Sequence, residues 1–512
     1  MPVTNHDSDR KRKATSVIVL PTAASDNTND FSIDEGDYGA IRGIYWDLGV
    51  TEDDMGTRVR QSVDIPDNDE ARRVSELVLS HEICTPKPLK YTLPSSIGQL
   101  QTLRQLSIKL SSVNLSLPKE IGKLTNLETL DLSHTNIQTI SPAIWKLPNL
   151  KNLDLSFTKL KRIPTSIFSL VSLERLNLAS SLSGVKSIPD RIGNLKNLKE
   201  LNLENTQLKQ LTDGVFYLVN LEVLNLANIK IKSLSFLVGR LSNLKYLSLR
   251  GNGYLHSLPE TLCDLEKLET LDLQRCQNLM IFPTQIGNLR NLETLNLNHA
   301  RIEPLPDSIA RLQKLRNLYL RGWRHKNIPE TIGDLASLEK LDISHSCIEE
   351  LPPFLRRLSN LKELDLSYTQ LRSLPDEIMD LGLPSVTKLN LFVSKMLDYN
   401  SSKNEPMNIE DFEASCKSVW KLVQSSPSLV HIGSLLIGNV RTFAKDPRGI
   451  HAKKLYYDLV YKKALPLIKT NRNKWPLLLE GVDGDPDFVH QVLVDKRDLF
   501  VEHLASRRTP EA

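Results

Sequence analysis

The chain contains 512 residues, and its 65 Lys or Arg against 61 Asp or Glu give a formal net charge of +4. A net charge this small for this length indicates no particular charged partner. The five cysteines are widely scattered and form no CxxC pair, which favours a reduced intracellular protein over a disulfide-linked secreted one. No apolar run approaches the roughly 18–20 residues of a membrane-spanning helix, so we expect a soluble protein with no membrane partner.

Residues 1–70 show no sustained strand or helix period, and we expect a disordered, acidic N-terminal tail. Its acidic part, residues 26–70, holds 13 Asp or Glu and 3 Lys or Arg. An apolar island at 38–50 is either a linear motif or, as we favour, a segment that docks on the rest of the chain. The basic run Arg10–Lys13 precedes an apolar stretch too short for a signal peptide. It is at most a weak nuclear-import signal, so we expect a cytoplasmic protein.

One phrase recurs through most of the remaining sequence, and residues 361–375 show it clearly. Counted from Leu361 as position 1, leucines stand at positions 1, 4, 6, 11 and 14, Thr369 at position 9, and Pro375 ends the phrase. After a first interval of 29, the phrase returns every 23–25 residues. L-x-x-L-x-L at this period is the leucine-rich-repeat signature. Position 1 is occupied by Val74, Leu103, Leu127, Leu150, Leu173, Leu198, Leu221, Leu244, Leu268, Leu292, Leu315, Leu338, Leu361 and Val386.

The repeat predicts an α/β solenoid, a leucine-rich-repeat horseshoe, over residues 71–395 with about 13–14 repeats. Each L-x-x-L-x-L segment should form a short strand with inward leucines, and the stacked strands should form a parallel sheet on the concave face. The second half of each repeat should form a short helix or 3₁₀ turn on the convex side, where a recurring Ile-Gly pair eases the next bend. A recurring apolar-Pro pair should fix φ where the chain leaves the sheet.

Position 9 of each repeat is a ladder position, at which leucine-rich repeats often place Asn. Here it carries mostly small hydroxyl or thiol side chains, which we expect to bond backbone groups of neighbouring coils with less reach. We expect Cys276 and Cys347 to be buried structural thiols, although Cys347 lies one position beyond the ladder. The ladder residues are Thr135, Thr158, Ser181, Thr206, Asn252, Cys276, Ser346 and Thr369.

The repeat fades after Leu391, and residues 396–512 are interpreted as a C-terminal cap and helical domain. A cap is needed because the last coil would otherwise expose its core leucines. Within this region, 427–432 has the pattern of a divergent last strand. Residues 440–474 hold 10 basic and 2 acidic residues. A solvated helix face, a dock for the acidic tail, or a contact with nucleic acid would each explain this charge.

No pattern for catalysis, cofactor binding or metal binding is present. The motifs G-x-x-x-x-G-K-[ST], H-E-x-x-H, G-x-S-x-G and paired CxxC are all absent. The segment 483–487 resembles the start of a calcium loop, but Phe488 replaces its glycine and Val494 its glutamate. Histidines at position 8 lie several coils apart and have the pattern of surface residues. We therefore predict a protein that is not an enzyme and binds no cofactor or small-molecule substrate.

The outward side chains of the sheet are the remaining candidates for function. Position 5 is a column of Asp and Asn that either solvates the sheet or binds a partner. Arginine and aromatic side chains, which dominate binding hot spots, lie beside it. Trp323 occupies position 9, where an indole should not fit, so we expect its loop to splay outward, although drift in a tolerant repeat would also explain it. The candidate partner-binding residues are Tyr246, Arg250, Arg275, His299, Arg301, Tyr319, Arg321, Trp323, Arg324, His325 and Tyr368.

In the form L-x-x-L-x-L-x-x-T-x-I-x-x-L-P-x-x-I-G-x-L, residues 74–391 resemble the intracellular leucine-rich repeats of plant disease-resistance proteins and of Ras-pathway scaffold proteins. The resemblance implies protein binding, often within signalling complexes. The sequence shows no nucleotide-binding module of the kind that resistance proteins carry, which departs from an immune switch.

We therefore expect a non-enzymatic scaffold or adaptor in intracellular signalling, with a protein partner on the concave face. A regulatory subunit that positions a phosphatase or a GTPase is one alternative. A nucleic-acid binder that uses residues 440–474 is another, which we favour less.

Overall fold

The structure is a computed structural model that describes residues 17–19, 32–48, 50, 63–64, 73–80, 90–111, 113–182, 185–302, 305–371, 385–390 and 431–433. Two compact units, Met1–Asn252 and Gly253–Ala512, divide the chain. The boundary between them falls within the predicted repeat array.

In the first unit, every repeat begins with a short strand whose central leucine is buried and whose flanking residues face outward. Neighbouring strands are parallel and pair in register, as at Leu176 and Leu201. The sheet contains β3 (Val63–Asp64), β4 (Glu76–Ser80), β6 (Gln105–Lys109), β8 (Thr129–Asp131), β9 (Asn152–Asp154), β10 (Arg175–Asn177), β11 (Glu200–Asn202), β12 (Val223–Asn225) and β13 (Tyr246–Ser248), of which β3 is antiparallel to β4. Beside it, β1 (Val17–Val19) pairs antiparallel with β2 (Ser32–Asp34), and β5 (Lys90–Thr92) pairs parallel with β7 (Asn114–Ser116).

The second unit repeats the same arrangement, and its last strand was predicted. The segment 431–433 pairs parallel with the strand before it, with Ile432 opposite Leu389. This strand overlaps the divergent last strand that the sequence predicts at 427–432 in residues 431 and 432. The strands are β14 (Thr270–Asp272), β15 (Thr294–Asn296), β16 (Asn317–Tyr319), β17 (Lys340–Asp342), β18 (Glu363–Asp365), β19 (Lys388–Asn390) and β20 (His431–Gly433).

The second half of each repeat forms a 3₁₀ helix, as predicted. A proline usually precedes it and accepts its first hydrogen bond, as Pro94 O does from Ile97 N at 3.2 Å. The glycine of the Ile-Gly pair serves close packing rather than a bend, because a Cβ on Gly98 would lie 2.8 Å from Glu120 O in the next 3₁₀ helix. The 3₁₀ helices are Ser95–Gln99, Lys119–Lys123, Pro142–Lys146, Thr165–Ser169, Asp190–Asn194, Asp213–Tyr217, Phe236–Arg240, Glu260–Asp264, Ile286–Asn288, Asp307–Arg311, Glu330–Asp334 and Pro353–Arg357.

The core of each unit is built from the leucines at positions 1, 4 and 6. Leu361, Leu364 and Leu366 are each 1% exposed, and their equivalents in the other coils are similarly buried. Burying one such side chain contributes about 1.5–3 kcal/mol. A single coil leaves one side of its leucines open, so stability requires the stacked neighbours.

The ladder position works differently from the prediction. The hydroxyl of Thr206 donates to Leu203 O at 2.7 Å within its own coil, and the other described Thr residues of the ladder make the same bond. Asn252 has the reach to bond two coils, because its Nδ2 donates to Leu249 O at 2.7 Å and to Leu226 O at 2.8 Å. Cys276 is buried as expected, whereas Cys347 is exposed.

The predicted disordered tail contains a helix, α1 (Glu35–Asp47), that docks on the first coils. Asp34 caps its start by accepting hydrogen bonds from the backbone N–H groups of the first turn. The apolar island supplies the buried side of α1, including Ile41 and Ile44, both 0% exposed. Tyr91 donates its hydroxyl to Ile44 O, and Ser96 donates to Ala40 O, both at 3.3 Å.

A buried carboxylate anchors the start of α1. Asp37 is 1% exposed, and its Oδ2 accepts hydrogen bonds from Val74 N at 2.8 Å and from Arg73 Nε at 3.1 Å. Burial raises the pKa of Asp37, and the bonds from Val74 and Arg73 offset this only in part. The island therefore docks on the array, as the favoured interpretation of the sequence proposed.

The remaining terminal predictions fall outside the described residues. These are the basic run Arg10–Lys13, the helices predicted after residue 396, and the basic segment 440–474. Among the described residues, no helix has the length and apolar character that crossing a membrane requires.

Replacing Ile41 with Ala should loosen α1 from the first coils. Deleting a buried aliphatic group of this size costs about 2–5 kcal/mol. We expect faster amide hydrogen exchange in α1 and in the 3₁₀ helix Ser95–Gln99. Trp46→Ala is the matched control, because this larger side chain is 59% exposed. Equal exchange in the two variants would contradict the docking of α1.

Candidate functional site at the strand exits

In the coils that begin at Leu127 through Leu361, position 8, two residues after the core leucine at position 6, lies in the left-handed region of φ. Its φ values lie between 53° and 77°. In most of these residues the N–H donates to the carbonyl of position 7 in the next coil, as His345 N does to Ser367 O at 2.8 Å; no such bond is described for Gly251 or Tyr368. These side chains therefore project from a fixed backbone at the strand exits. They are His134, Phe157, Ser180, Asn205, Asn228 and Gly251 in the first unit, and Arg275, His299, Gly322, His345 and Tyr368 in the second.

The Asp and Asn column at position 5 holds this turn in place. The Oδ1 atom of Asp342 accepts a hydrogen bond from Ser344 N at 2.9 Å, which caps the strand exit two residues further on. The sequence left open whether this column solvates the sheet or binds a partner, and the structure shows a backbone role. The same bond is made by Asp131, Asp154, Asn177, Asn202, Asn225, Asp272, Asn296 and Asp365.

One coil of the second unit lacks this cap and obtains it from its neighbour. Tyr319 occupies position 5 of this coil, so Arg321 N donates instead to Asn298 Oδ1 of the preceding coil at 2.7 Å. Gly322 follows at position 8 with φ +77°, and a Cβ there would clash with Nδ1 of His299. Because Gly322 has no side chain, the His299 ring has room to pack against the backbone of the next coil.

Trp323 is buried, and the prediction that its loop splays outward is wrong. The indole is 4% exposed, and its Nε1 donates to Asn327 O at 3.1 Å. Because the indole N–H finds a carbonyl partner, this large side chain is accommodated in the core. Arg324 is exposed, whereas His325 is half-buried with its Nε2 atom 3.3 Å from Ile302 O.

Arg321 joins the histidines on either side of its coil. Its Nη2 lies 2.9 Å from Nε2 of His345, and a guanidinium only donates, so this ring nitrogen accepts. The His345 ring stacks on Tyr368, with centroids 4.2 Å apart. Tyr368 is 41% exposed and offers an aromatic surface beside the arginine.

The electrostatics of the two histidines follow from this arrangement. Partial burial and the charges of Arg321 and Arg275 lower the pKa of His299. Partial burial and Arg321 likewise lower the pKa of His345, while Asp342 and Asp365 oppose this shift. Both imidazoles are therefore neutral at physiological pH, and the positive charge near them comes from the arginines.

We call the cationic part of this surface the exit patch. Its arginines are exposed, and among the described residues none of them forms an ion pair with a carboxylate. The exit patch consists of Arg275, His299, Arg301, Arg321, Arg324 and His345.

The other predicted residues lie elsewhere. Tyr319 contacts Lys340, whose Nζ is 5.7 Å from the ring centroid. Tyr246 and Arg250 belong to the first unit, where Tyr246 lines a 490 Å³ groove on the outward face of β8 to β13.

The structure thus brings together part of the predicted set. It adds His345 and Asn298, which sequence reasoning missed as site residues; position 8 and the Leu-Arg-Gly pattern at 320–322 were the available signals.

Known proteins share this architecture. Leucine-rich-repeat family models match residues 77–202 and 278–347 ("Leucine-rich repeat region"), 219–263 ("Leucine Rich repeats (2 copies)") and 360–381 ("Leucine Rich Repeat"), about half of the chain in total. The chain is a leucine-rich-repeat protein. Leucine-rich repeats commonly serve as protein-binding modules, with the extended sheet surface as the binding site.

Individual relatives agree with this family. TMV resistance protein N of Nicotiana glutinosa is 37% identical over 70 residues, which is 14% of this chain and only 6% of that protein. This match supports the resemblance to plant disease-resistance proteins. The leucine-rich-repeat protein LIC12759 of Leptospira interrogans superposes with a TM-score of 0.55 at 28% identity, over 70% of this chain and 94% of that one. The Drosophila Toll–Spatzle complex shares the fold, with a TM-score of 0.51 at 18% identity over 62% of this chain and 44% of that one.

The described residues offer little for covalent or metal chemistry. They contain no group of three His, Cys, Asp or Glu side chains placed to hold a metal ion. Burial raises the pKa of Cys263 to about 12, so this thiol stays protonated and is a poor nucleophile.

Replacing Arg321 with Gln should raise the pKa of both His299 and His345 toward the usual value of 6.5. NMR titration of the imidazole rings measures this directly. Arg316→Gln is the control, because Arg316 is paired with Glu339 at 3.3 Å and influences neither ring. An unchanged titration of both rings in Arg321→Gln would contradict the assigned contact.

Acidification should destabilise the second unit through these same histidines. The unfolded chain binds protons at its imidazoles near pH 6.5, whereas the folded chain resists protonation. Their stabilising contribution is therefore present above pH 6.5 and is lost as pH falls from 6.5 through the lowered folded pKa. Chemical denaturation across this range measures the change. Replacing both histidines with Gln should flatten the dependence.

Replacing Gly322 with Ala should destabilise the second unit. A residue with a Cβ pays about 1–2 kcal/mol in the left-handed conformation, and the added atom must also displace the His299 ring. Gly253→Ala is the matched control in the same unit, since a Cβ there meets nothing within 4 Å. Urea denaturation followed by circular dichroism should show a lower midpoint for Gly322→Ala alone.

Proposed function

We propose that this protein is a non-enzymatic scaffold or adaptor in intracellular signalling, and that it binds a partner protein through the outward strand face and the exit patch of its second unit. The observation that carries the proposal is the grouping of exposed arginines with Tyr368 on one row of strand exits. Arginine and tyrosine are the side chains that most often dominate binding energy in protein interfaces.

The backbone beneath these side chains is already fixed. His299 N donates to Arg321 O at 2.6 Å, and Gly322 N donates to Ser344 O at 2.8 Å, so each turn is tied to the next coil. A surface that is ordered before binding loses little conformational entropy when a partner arrives. Its polar and aromatic contacts then contribute to affinity with little offset from ordering.

Leucine-rich repeats are commonly protein-binding modules, and this supports a protein rather than a small molecule as the partner. The outward residue at position 3 of the strands differs from coil to coil, as with Thr294, Asn317 and Lys340. Since the leucines carry the fold, this position is free to encode the choice of partner.

The test compares two double variants of the full chain in affinity purification from lysate, with quantitative mass spectrometry. Arg321→Ala/Tyr368→Ala alters the candidate surface. Arg316→Ala/Tyr254→Ala is the matched control, because it removes one exposed arginine and one exposed tyrosine elsewhere in the second unit. Circular dichroism establishes that both variants are folded.

We expect at least one protein that the wild type and the control capture and that Arg321→Ala/Tyr368→Ala loses. Its affinity, measured with purified proteins, should fall by about tenfold or more, since truncating a hot-spot residue costs more than about 1 kcal/mol. Capture of the same proteins, with equal affinity, by both double variants would rule out this surface.

A further inference from the structure

The charge at the strand exits of the second unit is one-sided. We consider positions 7–10 of the five coils that begin at Leu268, Leu292, Leu315, Leu338 and Leu361. These positions hold four arginines and two histidines, all of the exit patch, and no Asp or Glu. Where the strands of these coils carry a carboxylate at position 5, it accepts a hydrogen bond from the backbone. Asp365 Oδ1, for example, accepts a hydrogen bond from Ser367 N at 2.9 Å.

Six basic residues elsewhere in the same unit have carboxylate partners. Six ion pairs join neighbouring coils, with distances of 2.6–3.5 Å between nitrogen and oxygen. They are Arg316–Glu339, Lys362–Glu339, Lys340–Glu363, Lys388–Glu363, Lys326–Glu349 and Arg357–Asp334. The four arginines of the exit patch have no described carboxylate partner, and they form a cationic surface because they are grouped at the exits of three successive strands.

The geometry leaves guanidinium donors available to a ligand. Arg321 uses one nitrogen, Nη2, for His345, while a guanidinium carries five N–H groups in a planar fork. Such forks match carboxylates in two-point contacts. Burial is the largest cause that lowers the pKa of His299, and the charges of Arg321 and Arg275 lower this pKa further, each more strongly than Asp342 raises it.

We propose that the exit patch binds a run of acidic residues in an extended segment of the partner protein. This inference rests on the proposed function and names the chemistry of the partner. Arg275, Arg301 and Arg321 lie on three successive coils, about 4.8 Å apart in the direction across the strands. Two coil steps equal about three residues of extended chain at about 3.3 Å each, so consecutive or closely spaced Asp and Glu side chains can meet successive arginines.

The direct test uses fluorescein-labelled peptides and the full chain, with binding followed by fluorescence anisotropy. An oligoglutamate of about eight residues spans the three coils, and an oligoglutamine of equal length is its neutral counterpart. Arg321→Gln/Arg324→Gln removes two charges from the exit patch. Arg316→Gln/Arg357→Gln is the control, because it removes two exposed arginines that have carboxylate partners.

We expect oligoglutamate to bind the wild type and the control alike, and oligoglutamine to bind neither. Affinity for Arg321→Gln/Arg324→Gln should be lower by about tenfold or more, and added salt should weaken the remaining binding. Equal weakening in both double variants would show nonspecific attraction and overturn the proposal, as would no binding of oligoglutamate.

Two further probes separate other anions. The first probe is a peptide whose single charged group is one phosphoserine. If this peptide binds and oligoglutamate does not, the ligand of the exit patch is a phosphate group and the proposed acidic run is wrong. Oligouridylate that binds more tightly than oligoglutamate would likewise overturn the proposal in favour of nucleic acid. Lastly, oligoglutamate is added during the capture experiment. A partner that depends on Arg321 and Tyr368 but resists this competitor would leave the proposed function standing and refute only the acidic run.

Discussion

The left-handed residue at position 8 is the constraint on which the architecture depends. Each strand must end sharply so that the chain can cross to its 3₁₀ helix within one coil. The turn is held by two hydrogen bonds: one from position 7 to the Asx side chain at position 5, and one from position 8 to the next coil. Because a left-handed backbone excludes bulky branched side chains, position 8 selects Gly, Asn, His and unbranched residues. The same geometry aims those side chains away from the core, toward the surface at the row of strand exits.

Much of the fold could be predicted because its determinants are local and repeated. The spacing of leucines gives the strands, their direction and the 3₁₀ helices without any knowledge of long-range contacts. The helix α1 could not be predicted this way, because a single short amphipathic segment has no repeat to reinforce it. Its stability comes from contacts with residues far away in sequence, such as Tyr91 and Val74.

The candidate site was predicted only in part, and the errors have physical causes. Size alone suggested that Trp323 must leave the core, but the indole is buried and its N–H donates to Asn327 O. Replacing Trp323 would therefore perturb packing before it perturbed any partner. The Asx column was ambiguous because a side chain that caps its own turn and one that faces a ligand have the same sequence pattern. His345 was set aside as a surface residue, since its contact with Arg321 depends on the exact stacking of two coils.

The hydrogen bond that Thr at position 9 makes within its own coil affects how coils can be gained or lost. A threonine such as Thr206 satisfies its hydroxyl within its own coil, so removal or duplication of a neighbouring coil leaves this hydroxyl paired. Asn252 is different, because one of its two carbonyl partners belongs to the preceding coil. The ladder side chain of a Thr coil is therefore indifferent to which coil precedes it, whereas Asn252 requires a predecessor that presents a carbonyl where Leu226 O lies.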